Sequence, residues 1–415
     1  MRFILNFICI TMLSYYSLAQ QIDDYILYNT SNSELIYDEI NCLEFDSYGN
    51  LWVGTSNGIS IYTESTDSWN NIINQQLIDN TPLNSFIQSI ESAPENIFIG
   101  TSNGLAHIYF ADGNLNNPVW NNSYDTTCIN DNNIRAMLWN ESLWVGTTGG
   151  LCVEGAGPEG TWLMGNTNTG FYSNNITSIK KNNSNNLIAI GTMNGGLVTF
   201  DNTFNIYYNS NSDILDNTVW DVAFDQNNNI ILCTPQAGMG VLIENGSWLW
   251  FNTVNSNIST NSLTKVIVDI NNNVWMSSLE SGLIKYSNNN FYNYNTYNSN
   301  IPDNIITSLT IGPDNNLWLG TKSQGLMKIN IIESSIRDDE IKEIDLLIPT
   351  IFKDYISIES HFCGELSIFN QQGKLIHSNP LKRNNKINTE VYAPGLYIFI
   401  IRSDNYITIK KSIKY

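Results

Sequence analysis

The chain has three histidines, His107, His361 and His377, and only the first precedes residue 341. One histidine cannot build a two- or three-histidine metal site, and the alternating residues around His107 suit a structural or solvent-facing place on a strand. No serine or cysteine in the sequence is matched to a base, so no nucleophile of that kind is expected. Acids are plentiful: residues 1–340 hold 32 Asp and Glu against 9 Lys and Arg. Two of them could serve sugar hydrolysis if the fold brought them together, which sequence alone cannot decide. The stretches DSYGN from Asp46, DQNNN from Asp225 and DINNN from Asp269 are too short for a calcium loop. They read as tight turns in which Asn and Gly accept positive φ. Catalytic residues, cofactor and metal are therefore expected to be none. Four residues remain as candidates for binding a ligand: Arg135, Trp220, Asp221 and Lys265.

These four are singled out by a repeat. NLWVGTSNGISIY from Asn50 returns as NIFIGTSNGLAHIY from Asn96 and SLWVGTTGGLCV from Ser142. Aligned on the dipeptide after the tryptophan strand, seven units begin at Gly54, Gly100, Gly146, Gly191, Cys233, Ser277 and Gly320, spaced 42 to 46 residues apart. That is a propeller period. Each unit alternates with period two and is cut by Asn- and Gly-rich turns, which gives four short antiparallel strands per blade. One such sheet cannot bury both faces alone, so blades must stack around an axis with the tryptophans between them. The expected fold is all-β, a seven-bladed β-propeller over residues 20–330, in preference to an open solenoid of β repeats. The last unit lacks an outer strand, while YNTSNSELIYDEINCL from Tyr28 overlies YNTYNSNIPDNIITSL from Tyr294 without a gap. The N-terminal strand is thus expected to complete the last blade and close the ring, removing an exposed sheet edge.

In the innermost strands the tetrads INCL, IQSI, IRAM, ITSI, VWDV, LTKV and ITSL align, and their third residues are Cys42, Ser89, Ala136, Ser178, Asp221, Lys265 and Ser308. Five are small, as crowding near the axis requires. Asp221 and Lys265 are charged, opposite in sign and in adjacent blades, so an ion pair between the fifth and sixth blades is expected beside the central channel. Arg135 and Trp220 occupy second places held elsewhere mostly by Asn, Gln or Thr. A channel mouth with these four would suit a polar or sugar-like molecule. The loops toward that face are short and rich in Asn, Ser and Gly, which favours glycans, peptides or surface proteins as partners.

The string D…GNLWVGT…GI…Y resembles the propeller repeats of bacterial two-component regulators, over roughly Asp23 to Asn330. The resemblance implies the fold and leaves the function open, since that repeat is a scaffold. The kinase domain and membrane helix of the sensor proteins are not matched.

The ends of the chain give a cellular address. MRFILNFICITMLSYYSLAQQ has a basic residue, an apolar run from Phe3 to Leu13 and small residues around Leu18. This is a signal peptide, residues 1–19, cleaved after Ala19. The run is too short to span a bilayer, and no transmembrane segment is expected in the mature chain. The acidity of residues 1–340 repels phosphate backbones, so no nucleic acid is expected as partner. Of the five cysteines after the signal, Cys42, Cys128, Cys152 and Cys233 sit in apolar or turn contexts as small hydrophobes, with room for one disulfide in an exported protein.

Past a charged linker, residues 331–346, the segment 347–415 reads as short strands forming a small C-terminal β-sandwich. LSIFNQQGKLI from Leu366, APGLYIFII from Ala393 and the terminal IKKSIKY resemble the type A C-terminal sorting domain of the type IX secretion system of Bacteroidetes. The Pro-Asn-Pro opening usual there is replaced by LIPTIFKDYISI. The resemblance implies export through that machinery as its partner, removal of the domain, and a product secreted or attached to the outer-membrane surface. The leading functional expectation is an exported binding or scaffold propeller. The alternatives are an exported carbohydrate-active enzyme, hydrolase or lyase, with acids in the funnel, and an accessory component of the secretion and attachment machinery.

Overall fold

The computed structural model describes residues 22, 24–72, 86–110, 119–120, 129, 131–155, 163–331, 351–359, 364–370, 374–381, 384–402 and 407–414. The signal segment 1–19 and residues 332–346 of the linker lie outside them. Among the described residues no helix is long and apolar enough to cross a membrane. Contacts divide the chain into two units, with the break between residues 332 and 333.

The first unit holds seven four-stranded antiparallel sheets. Their first strands are Ile40–Phe45, Ile87–Ala93, Ile134–Trp139, Ile176–Lys181, Asp221–Phe224, Leu263–Val268 and Ile306–Ile311. Each of these lies against the first strand of the next sheet, and Ile306–Ile311 lies against Ile40–Phe45. The outer strand of the seventh sheet comes from the start of the chain: Tyr25–Tyr28 pairs antiparallel with Leu326–Ile329, Tyr25 opposite Ile329 and Tyr28 opposite Leu326.

Side chains explain why the sheets stack. The second strands, such as Leu51–Thr55 and Leu317–Thr321, are buried along their whole length because both faces meet a neighbouring sheet. Trp52 joins Ile59 and Ile61 of its own sheet to Ile87, Ile97 and Ile99 of the next in one apolar cluster. The repeated Thr closes the turn that follows its strand. Thr55 Oγ1 donates to Gly58 O at 2.8 Å and accepts from Asn57 N at 3.0 Å, and Thr101, Thr147, Thr192, Thr234 and Thr321 likewise donate to the turn glycine carbonyl. The Gly before it is needed for approach. A Cβ on Gly54 would stand 2.4 Å from Cys42 Sγ and 2.7 Å from Ile87 of the next sheet.

The seam between the last and first sheets has its own lock. Lys328 Nζ pairs with Glu64 and, at 2.7 Å, with Asp314 Oδ2, and lies 5.3 Å from the centre of the Trp318 ring. Tyr28 stacks on Trp318, and its hydroxyl meets that of Tyr62 at 3.0 Å. At Gly325, φ is +82° and an added Cβ would lie 2.2 Å from Tyr28 O, so only glycine lets the N-terminal strand approach.

The second unit has a five-stranded sheet in the order Ile351–Phe352, Ile407–Lys414, Gly395–Arg402, Gly364–Asn370, Leu375–Leu381, in which only the first pair is parallel. A two-stranded sheet, Tyr355–Glu359 with Asn384–Asn388, shares its core: Ile356, Ile358 and Ile387 pack with Leu366, Ile368, Tyr397 and Phe399.

Candidate functional site

The first strands of all seven sheets line one cavity of about 540 Å³. Six of these strands carry a bulge between the first and third tetrad residues, a device that re-aims the second side chain. Those side chains mostly bridge sheets. Gln88 Nε2 donates to Asn133 Oδ1 at 2.8 Å, Thr177 Oγ1 to Val219 O, and Thr307 Oγ1 to Ile40 O.

Arg135 is one of them. It lines the cavity, and its Nη1 donates to Asn175 Oδ1 of the fourth sheet at 3.2 Å. Trp220 is half-buried just before its strand and stands outside the cavity lining. Asp221 and Lys265 both line the cavity, but the expected ion pair is absent among the described residues. The Asp221 carboxylate accepts instead from the backbone N–H of Val222 at 3.0 Å and of Val266, in the sixth sheet, at 3.1 Å. Fifth and sixth sheets are therefore joined by a carboxylate–amide bond, and the Lys265 amine is left to the channel. The small third residues answer to crowding between strands and between sheets more than at the axis: Asp221 and Lys265 pair with Cys233 and Ser277, the two places where the facing glycine is replaced.

A second layer of charge lies two residues further along the same strands. Glu44 and Glu91 come from the first and second sheets and Lys180 from the fourth, all in the cavity wall. Glu91 Oε1 accepts from Trp139 N of the third sheet at 2.7 Å. Both glutamates are partly exposed to the channel yet surrounded by protein. Burial pushes the Glu44 carboxyl up from the ordinary range, the neighbouring Glu91 pushes it further, and Lys180 offsets part of this. Burial likewise raises Glu91 against the opposing Trp139 amide and Lys180. Burial would lower Lys180, but the charges of Asp221, Glu44 and Glu91 outweigh it and hold it high. Sequence reasoning misses these three residues, although the fifth place of the aligned strands carries them, because it compares only the third and second places.

Other candidates resolve into structure. His107 Nε2 lies 2.7 Å from Asn96 Oδ1, its ring stacks on Phe98, and burial lowers its pKa to about 4. Asp46 accepts from Tyr48 N, Asn50 N, Asn50 Nδ2 and, at 2.9 Å, from Trp52 Nε1, and Asp269 repeats the pattern with Trp275 at 2.8 Å. These carboxylates tie turn to wedge. The Cys42 thiol is pushed to about 12 by burial and remains protonated. Cys152, expected to be a small hydrophobe, is disulfide-bonded.

Two family models match. "Two component regulator propeller" matches residues 34–57 and 300–323, and "Secretion system C-terminal sorting domain" matches residues 349–415. No curated protein matches the chain. Among solved structures, PorZ of Porphyromonas gingivalis, an essential bacterial surface component of the type-IX secretion system, is 16% identical over 91% of this chain and 59% of its own, with a TM-score of 0.55. The extracellular domain of the putative one component system BT4673 from B. thetaiotaomicron is 16% identical over 94% and 52%, at 0.57. Virginiamycin B lyase from Staphylococcus aureus is 10% identical over 74% and 99%, at 0.56. The chain spans between half and three fifths of the first two, and at these identities the likeness establishes a β-propeller fold. The sorting domain marks the protein for export, to a secreted or outer-membrane-surface location. The chain carries two-component-regulator propeller repeats followed by a type IX secretion system C-terminal sorting domain.

Proposed function

We propose that the exported protein is a seven-bladed propeller, closed by its N-terminal strand, that holds a polar ligand such as a glycan or peptide at its central channel. Seven sheets and the pairing of Tyr25–Tyr28 with Leu326–Ile329 support the closed ring. The break near residue 332 supports a propeller over 20–330 and a sorting sandwich over 347–415, after a signal at 1–19. The observation that carries the ligand reading is the cavity, built by all seven sheets and lined by Arg135, Asp221 and Lys265. Its size falls within the range of about 300–1,000 Å³ usual for ligand sites. A binding screen of glycans and surface polysaccharides on the mature chain tests it, with Arg135→Ala and Trp220→Ala as variants. Retention by the wild type and loss in Arg135→Ala is the expected result; equal retention by Arg135→Ala counts against a ligand at the mouth.

A second reading is favoured by Glu44 and Glu91. Two carboxyls of raised pKa beside one channel could divide acid and base roles in cleaving a sugar chain. Release of reducing ends from a polysaccharide by the wild type, abolished in Glu91→Gln, would support this reading. The likeness to PorZ supports a third, attachment to the secretion machinery, which co-purification with outer-membrane secretion proteins would test.

A further inference from the structure

The channel wall is charged in an unusual way. Four ionisable side chains of the cavity wall lack a side-chain partner in direct contact, although Lys180 and the two glutamates act on one another through space: among the described residues Glu44, Lys180 and Lys265 make no side-chain hydrogen bond or ion pair, and Glu91 has one backbone amide. Asp221 is different, since two backbone N–H groups satisfy it. The two glutamates sit side by side on the first and second sheets, while the lysines stand on the fourth and sixth, apart from them on either side. The wall is therefore bipolar. A neutral molecule filling the channel would displace the water that solvates these groups and leave any charge on them without a counter-charge in contact. A simple cation would meet the lysines, and a simple anion the glutamates. Only a molecule with both signs compensates both halves.

We infer that the waist of the channel binds a small zwitterion bearing a primary ammonium and a carboxylate, a free amino acid or short peptide, with the ammonium between Glu44 and Glu91 and the carboxylate toward Lys180 and Lys265. The inference rests on the channel being a ligand site and specifies what it takes. Arg135 and the polar mouth then admit the ligand, and the waist selects it.

The test is calorimetric titration of the mature full chain with triglycine, N-acetyl-triglycine and triglycine amide. Triglycine should bind, and blocking either end should weaken binding by about tenfold or more. Glu44→Gln and Lys180→Met should each weaken triglycine by a similar factor, with circular dichroism melts to show that the variants fold; should one fail to fold, the other and the blocked peptides still decide. Equal binding of the N-acetylated peptide, or no heat from any of the three at 10 mM, taken as roughly the weak limit of a specific site, overturns the inference. Its failure is distinguishable from that of the channel reading. Glycan binding that is lost in Arg135→Ala, alongside silent triglycine, keeps the ligand site and removes the zwitterion. Silence in both screens removes both.

Discussion

Replacing Lys328 by Met tests how the two ends of the propeller are held. The Lys328 side chain is 10% exposed, and its amine pairs with Glu64, Asp314 and the face of Trp318, joining the seventh sheet to the first. Breaking a fully buried pair costs about 3–5 kcal/mol, and an exposed one about 0–1 kcal/mol. Here the two carboxylates are 44% and 36% exposed and can rehydrate, so the electrostatic loss lies between. Adding about 0.5–1 kcal/mol for the cation over the ring gives a total of about 2–3 kcal/mol, because Met keeps the apolar stem. With an unfolding entropy of about 2.1 cal/mol/K per residue, a unit of roughly 300 residues should melt about 3–5 °C lower. The pH dependence gives an independent check. Burial alone would raise the Asp314 pKa, but Lys328 and Asn316 outweigh it and hold it below the usual range. Its contribution is thus complete above the unfolded carboxylate pKa and lost as pH falls through the lower folded value. Calorimetric melts of wild type and Lys328→Met should differ at pH 7 and converge toward pH 2. A gap under about 1 °C at pH 7, or one that persists unchanged in acid, would refute the seam as a charged lock.

Three further outcomes follow from the geometry. Glu44→Gln should melt higher than wild type at pH 8, by on the order of 2 °C, with no gain at pH 4, because a carboxyl whose folded pKa is raised withdraws stability as pH rises. Gly54→Ala should cost about 1–3 kcal/mol in urea unfolding, since the added methyl meets Cys42 and Ile87. Asp46→Ala should cost about 2–4 kcal/mol and shift tryptophan fluorescence, as it leaves the Trp52 indole N–H and two turn amides without their acceptor.

The repeats made the architecture legible because stacking imposes similar local demands on every unit: a hydroxyl to close a turn, a small residue beneath the neighbouring strand, an apolar wedge. Even the missing outer strand of the last unit pointed to Tyr25–Tyr28, where the pairing with Leu326–Ile329 lies. The site was only half legible. Arg135, Asp221 and Lys265 do line the cavity, but Trp220 stands outside the lining, and charge opposition at matching positions did not become contact. A backbone N–H of Val266 lay within reach of the Asp221 carboxylate and satisfied it, an acceptor–donor match no side-chain alignment displays.

By itself the sequence determined the strand period, the number of repeats and the address at the C-terminal end, since each depends on neighbours a few residues apart or on a motif read locally. Which further charges join Arg135, Asp221 and Lys265 in the cavity was decided by the tertiary structure alone. Glu44, Glu91, Lys180 and Lys265 come from four different sheets and meet only because the first strands converge on one cavity. Their protonation then follows from burial and mutual field, quantities that exist only once distant residues have been brought together.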